Sequence, residues 1–228
     1  MNKPVLGVLG GMGGLASAEF VRTVYEISGE VCSREQDAPV VVMYSDPTFP
    51  DRTEAFLRGE TQPLLNKLIE ALELLNSMGA TQTVICCMTI HYLLAQVPAA
   101  LRERIISLTD AIFSEVESLK KKHLVISSRG TIKLELLQRH PRWEQARNYF
   151  VFPSEPEQRR MHDLIYEVKL NRNLLEARLF VETLLARHRV NSFIAACSES
   201  HLLAKQFAPS RCIDPLALIA RQVVEAQI

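Results

Sequence analysis

The sequence of 228 residues carries no net charge, since 26 lysines and arginines balance 26 aspartates and glutamates. That balance excludes a general electrostatic pull toward nucleic acid or an anionic membrane. Basic residues do cluster in Lys120-Lys121-Lys122 and Arg159-Arg160. Without interleaved aromatics these read as solvated helix edges rather than a nucleic-acid stripe. Long hydrophobic runs are also missing. The first apolar run breaks at Gly7, too soon for a signal-peptide core, and no later segment is long and apolar enough to cross a bilayer. No tract rich in proline, glycine or serine divides the chain, and none is of low complexity. Cysteine is scarce and odd in number, five residues without the spacing of small secreted domains. Reduced thiols in a cytoplasmic protein are therefore expected, and reactivity rather than a disulfide is the reason to look at any one of them.

What is present is the alternation of an α/β protein. The length is enough for one large or two small cores. Short β-branched runs at Val5–Leu9, Val40–Tyr44, Thr83–Cys86, His123–Ile126, Tyr149–Phe152 and Ser192–Ala196 read as strands of parallel sheets. Helical periodicity covers Leu15–Ser28, Pro63–Ser77, Ser107–Lys120, Glu157–Lys169, Leu174–Arg187 and Leu216–Ala226. In the second of these, Leu64, Leu65, Leu68, Ile69, Leu72, Leu74 and Leu75 make a wide apolar face, and Gly79 supplies the stop.

A faint internal repeat runs through this pattern. Thr83-Val84-Ile85-Cys86-Cys87 with His91 resembles Phe193-Ile194-Ala195-Ala196-Cys197 with His201. Each is an apolar strand ending in cysteine, with a histidine four positions on. Two similar halves of this kind imply a pseudo-symmetric pair of units with a cleft between them. In open parallel sheets, ligands bind at the carboxyl ends of strands, where loops meet helix N-termini, and each polar cluster of the chain falls at such an end.

Gly10-Gly11-Met12-Gly13-Gly14 joins a strand to a helix and reads as a tight turn. A nicotinamide fingerprint is the weaker reading, because neither Glu30 nor Glu35 ends a recognisable second strand. Cys87-Met88-Thr89 places a thiol at a strand end entering a helix, where the helix dipole favours a thiolate and Thr89 is positioned to cap. Cys86, one step earlier, points to the opposite face and is assigned a structural role. Cys197-Ser198-Glu199 is built in the same way. A thiolate and a thiol on opposite faces of one carbon are the pair that a two-base racemisation needs. Arg52, in the loop Asp46-Pro47-Thr48-Phe49-Pro50-Asp51-Arg52-Thr53, is suited to grip a carboxylate; its plainer reading is a surface pair with Asp51 or Glu54.

Together and in this order the motifs resemble the aspartate/glutamate racemase superfamily, most closely its aspartate racemases. Gly7 to Gly13 resembles its opening turn, Pro50-Asp51-Arg52-Thr53 its arginine loop, and the segments starting at Cys87 and Cys197 its two cysteine motifs. Gly130-Thr131-Ile132, Ile165 to Lys169 and Ile213-Asp214-Pro215 complete the likeness. The resemblance implies two pseudo-symmetric α/β domains, each a mainly parallel sheet flanked by helices, with the active site in the cleft. Residues 1–104 plus 210–228 are expected to form the first domain, with the C-terminal helix returning to it, and residues 105–209 the second. The resemblance also implies a homodimer that uses neither pyridoxal phosphate nor metal. By the same resemblance the chain is an isomerase interconverting L- and D-aspartate. Cys87 and Cys197 are its catalytic residues, and Met12, Arg52, Met88, Thr89, Ser128, Thr131, Lys169, Ser198 and Glu199 bind substrate. Arg52 and Lys169 take the distal carboxylate; Thr89, Ser128 and Ser198 surround the α-carboxylate.

Departures from the family pattern leave rivals open. Met88 stands where the family usually has asparagine, and a thioether is only a weak acceptor. Glutamate or a related amino acid is an alternative substrate, and a catalytically silent amino-acid-binding protein is an alternative function. Another acid-transforming isomerase or decarboxylase is disfavoured by the presence of both cysteines. A zinc site from Cys86, Cys87, His91, Cys197 and His201 lacks the usual paired spacing. His91 and His201 are equally candidates for tuning the thiols and for structural packing.

Overall fold

The computed structural model describes residues 3–227. Strands β1 (Val5–Gly10), β2 (Val40–Ser45), β3 (Gln82–Ile85) and β4 (Ile105–Ile106) form one parallel sheet in the order β2-β1-β3-β4. Strands β5 (His123–Ser127), β6 (Phe150–Val151), β7 (Phe193–Ala196) and β8 (Cys212–Ile213) form a second in the order β6-β5-β7-β8. The second order repeats the first, as the paired cysteine-ended strands imply: β3 and β7 occupy matching places, each beside the central strand of its sheet.

The connecting segments are helices, as right-handed parallel crossovers require. They are α1 (Gly14–Val31), α2 (Arg52–Arg58), α3 (Gln62–Ser77), α4 (Ala99–Arg102), α5 (Leu108–Leu119), α6 (Arg129–Lys133), α7 (Trp143–Ala146), α8 (Glu155–Lys169), α9 (Leu174–His188), α10 (Ser200–Ala204) and α11 (Pro215–Glu225). The six longer helices lie where the periodicity put them, within three residues at each end. The short α2 and the two-residue strands β4 and β8 were not anticipated, because so few residues carry no period.

Strand alternation sorts the core. Leu9 and Ile85 face α3, packing with Leu64, Leu68 and Leu75. Leu124, Ile126 and Phe193 face α8 and α9, packing with Leu164 and Val181. The opposite faces of both sheets, through Val8, Val84, Val125 and Ile194, share one central core with Phe20 of α1, Ile112 of α5 and Ile219 of α11. Helix α11 packs on α1 and α5, so the three together hold the two sheets as one body.

The expected division at 104/105 and 209/210 sits one strand early by sheet membership. Ile105–Ile106 pairs with β3 and so extends the first sheet, and Cys212–Ile213 pairs with β7 and so extends the second. No helix among the described residues is long and apolar enough to cross a membrane.

Candidate active site

The carboxyl ends of β1, β3, β5 and β7 converge on one narrow pocket, partly open to solvent, with about 10 Å³ of space inside it, room for about one water molecule as the side chains stand. Cys87 and Cys197 both line it. Any chemistry that uses both thiols depends on that shared wall.

Cys87 lies two residues beyond β3. Its neighbour Cys86 points the other way into the central core, where burial first, then the charges of Cys87 and Glu199, push its thiol far up. After Cys87 the chain winds into a 3₁₀ helix, Thr89–Gln96, with no side-chain cap. The expected capping role of Thr89 is therefore corrected. Its hydroxyl instead meets those of Ser128 and Thr131, each at 3.2 Å, and these two lie 3.3 Å apart. Ser128 also caps α6, accepting the Thr131 amide. Tight packing allows this cluster: a Cβ on Gly130 would stand 2.8 Å from Thr53 Oγ1.

Neither histidine reaches a thiol. His91 is bonded through Nδ1 to the Cys87 carbonyl at 2.8 Å and accepts the Leu108 amide at Nε2. Burial lowers it to about 4, so a neutral ring donates to the carbonyl and holds the backbone beneath Cys87. His201 pairs with Asp214 Oδ2 at 2.6 Å and Thr23 Oγ1 at 3.0 Å. It ties α10 to α1 and to the residue that caps α11. Both belong to the structural reading. The zinc reading loses its ligands in the same way: among the described residues, no group of three or more histidine, cysteine, aspartate or glutamate side chains could hold a metal.

Cys197 directly succeeds β7. Its Sγ donates to Glu199 Oε2 at 2.9 Å, and Ser198 Oγ donates to the same oxygen at 3.2 Å. Burial, then the Glu199 charge, push the Cys197 thiol well above the usual range. Glu199 is 2% exposed, its Oε1 has no hydrogen-bond partner, and Lys169 Nζ stands 4.0 Å away. Gly13 leaves room for it, since a Cβ there would lie 2.1 Å from Oε1. Gly11 meets a different demand. Its φ of +88° and its contact with the Asp46 backbone exclude any side chain.

Arg52 is the first residue of α2, with Asp51 as the N-cap accepting the Glu54 amide. The helix start turns Arg52 inward, away from the surface pair with Asp51 or Glu54. Nη1 donates to the Pro50 carbonyl at 3.0 Å and Nη2 to the Met12 carbonyl at 2.5 Å, while the buried Nε has no partner. Burial opposes its charge, but Cys87, Asp51 and Glu199 outweigh that and raise it.

Of the residues expected at the site, Met12, Arg52, Cys87, Met88, Thr89, Ser128, Lys169, Cys197, Ser198 and Glu199 line the cavity. Thr131 does not line it; it stands behind as the third hydroxyl of the cluster. Met88 is also a member of the central core. Asp51, Thr53 and Tyr166 line the cavity too and were not anticipated. The helix-capping aspartate before Arg52 and the tyrosine three positions before Lys169 were the available signals.

Fold and site thus define a class: a doubled parallel α/β protein whose cleft is walled by one cysteine from each half. The Asp/Glu/hydantoin racemase family pattern matches residues 9–223, and the chain belongs to that family. Among solved structures it is similar to an aspartate racemase from Picrophilus torridus, with 22% identity and a TM-score of 0.82 over 98% of this chain and 94% of that one. It is similar to a glutamate racemase from Francisella tularensis subsp. tularensis SCHU S4 in complex with D-glutamate, with 14% identity and a TM-score of 0.65 over 99% and 81%. A third likeness is to an allantoin racemase from Klebsiella pneumoniae, with 15% identity and a TM-score of 0.56 over 98% and 87%. At these identities the likeness establishes the fold.

Proposed function

We propose that the protein interconverts L- and D-aspartate without a cofactor, by proton transfer between substrate and two thiols. One observation carries this reading. The cavity walled by Cys87 and Cys197 is also lined by Arg52, whose buried Nε has no hydrogen-bond partner, and by Glu199, whose buried Oε1 has none and lies 4.0 Å from Lys169 Nζ. A buried donor and a buried acceptor left unpaired each cost free energy. A carboxylate and an ammonium on one small molecule relieve both, and a dicarboxylic amino acid brings these groups.

In the mechanism Arg52 and Lys169 hold the distal carboxylate, and Glu199 Oε1 accepts from the ammonium. The hydroxyls of Thr89 and Ser128, braced by Thr131, and that of Ser198 donate to the α-carboxylate as charge develops on it. With Cys197 held as the thiol, Cys87, beside the Arg52 guanidinium, starts as the base and takes the α-proton. Cys197 returns a proton to the opposite face. The reverse reaction exchanges the roles, which is possible because acid and base are the same chemical group. The similarity to a protein named as an aspartate racemase supports aspartate over other substrates of the family. The reading includes a homodimer in the cytoplasm, the former checked by light scattering.

Circular dichroism of L- and D-aspartate solutions tests the proposal with wild type, Cys87→Ser and Cys197→Ser, together with deuterium uptake at the α-carbon in heavy water. Racemisation by wild type and its loss in both variants is the expected result. Full activity in either variant removes that cysteine from the chemistry. Absence of deuterium uptake in wild type indicates a silent binding protein, and turnover of glutamate alone reassigns the substrate.

A further inference from the structure

We infer that Tyr166 is a positioning residue that sets selectivity for the distal carboxylate by contacting Lys169 and anchoring the helix start that carries Arg52. This rests on the proposed binding of a dicarboxylic substrate between those two cations. Tyr166 and Lys169 lie three positions apart near the end of α8, on one helix face. The Lys169 ammonium stands over the Tyr166 ring, 4.2 Å from its centroid, a favourable cation–π contact. The hydroxyl of the same ring crosses the cleft and donates to Asp51 Oδ2 at 2.7 Å.

Asp51 carries that contact to the start of α2. Its other oxygen caps the helix by accepting the Glu54 amide at 3.0 Å, and Arg52 is the first residue of that helix. One tyrosine therefore contacts Lys169 through its π face and, through the capping carboxylate, anchors the helix start that carries Arg52. Because the bond joins a residue of the first half to one of the second, it also ties the positions of the two cations to each other. A carboxylate held between them is read by that spacing.

The hydroxyl is kept as a donor. Burial and the Asp51 hydrogen bond push the Tyr166 phenol up, out of reach of ordinary pH. Burial alone would raise Asp51, but the Glu54 amide, the Tyr166 hydroxyl and the charges of Arg52 and Lys169 together lower it. The pair therefore stays phenol and carboxylate through the working range.

Two variants separate its two contacts. Tyr166→Phe keeps the ring beneath Lys169 and removes the bond to Asp51; Tyr166→Leu removes both. Steady-state racemisation is measured with L-aspartate and with L-asparagine, which lacks the distal charge, and succinate binding is measured by titration calorimetry. Tyr166→Phe is expected to raise KM for aspartate and weaken succinate about tenfold, the scale of one lost charged hydrogen bond, with kcat for aspartate within about twofold. Tyr166→Leu is expected to weaken both further, and kcat/KM for asparagine to stay within about twofold of wild type in each variant. A kcat loss at unchanged KM, an equal loss for asparagine, or unchanged succinate affinity overturns the inference. Succinate is read without turnover. A wild type that binds it and fails to racemise aspartate thus counts against the proposed function alone, and one that binds no succinate overturns the inference as well.

Discussion

The thiol of Cys197 donates to Glu199 Oε2 at 2.9 Å inside a corner that solvent barely reaches. Its counterpart in the repeat, Cys87, has a guanidinium for a neighbour: burial opposes the Arg52 charge most, and Cys87 is the foremost of the groups that favour it. Two matching strand ends thus carry sulfurs beside opposite charges. Glu199, two residues after Cys197, supplies one charge; Thr89 holds that place after Cys87, and Arg52 at the start of α2 supplies the other. A symmetric scaffold is given a direction by side chains that break the symmetry.

Removing the Glu199 charge should therefore make Cys197 more acidic. In Glu199→Gln the second-largest cause of the upward shift is gone while burial remains. Alkylation of Cys197 by iodoacetamide at pH 8, followed by mass spectrometry, is expected to run several times faster than in wild type, in keeping with a larger thiolate fraction. An unchanged rate would show that burial alone sets the thiol.

Arg52→Lys should not be a conservative change. A lysine has no planar fork and cannot donate to the Pro50 and Met12 carbonyls while offering a third donor to the cavity. Loss of a charged hydrogen bond predicts KM for aspartate roughly 10 to 100 times higher. Unchanged kinetics would leave Lys169 as the sole distal contact.

Gly13→Ala places a methyl 2.1 Å from Glu199 Oε1, so the carboxylate or the loop must move. The φ at this position is extended, so the penalty is steric, about 1–3 kcal/mol for overpacking. Thermal unfolding should show the loss of stability, accompanied by loss of racemisation. A variant as stable and active as wild type contradicts the close packing of Gly13 on Glu199.

Acid should destabilise the fold in two windows. Burial lowers His91 from 6.5 to about 4, so the unfolded chain binds a proton that the folded one refuses. The stability this supplies is full above pH 6.5 and falls as pH drops toward 4. Burial works to raise Glu157, but the Ser154 amide, His188, the Ser154 hydroxyl and Arg187 together bring it from 4.5 to about 2, which adds a loss between those values. Urea unfolding across pH 7 to 2 measures both. His91→Gln is expected to flatten the upper window only, and Glu157→Gln the lower.

Much of this was legible in the chain. The apolar runs at Val5, Val40, His123 and Phe193 announce buried parallel strands, and the leucines of α3 announce a helix face, because burial of a regular element imposes its period on the sequence. The two cysteines drew notice because each ends such a strand. What lacked a period went unread: β4 and β8, two residues each, and α2, whose start at Asp51 turns Arg52 from surface to interior.

The sequence by itself determined which strands end in thiols, which face of the chain each thiol takes, and that the two halves share one plan. Only the tertiary structure decided what charge stands beside each sulfur, that both histidines serve the backbone and helix ends rather than the thiols, and that Tyr166 reaches Asp51 across the cleft. The reason is physical. A strand or helix face is set by neighbours a few residues apart, whereas a hydrogen bond between residues 115 positions apart exists only once two sheets have packed against the same three helices.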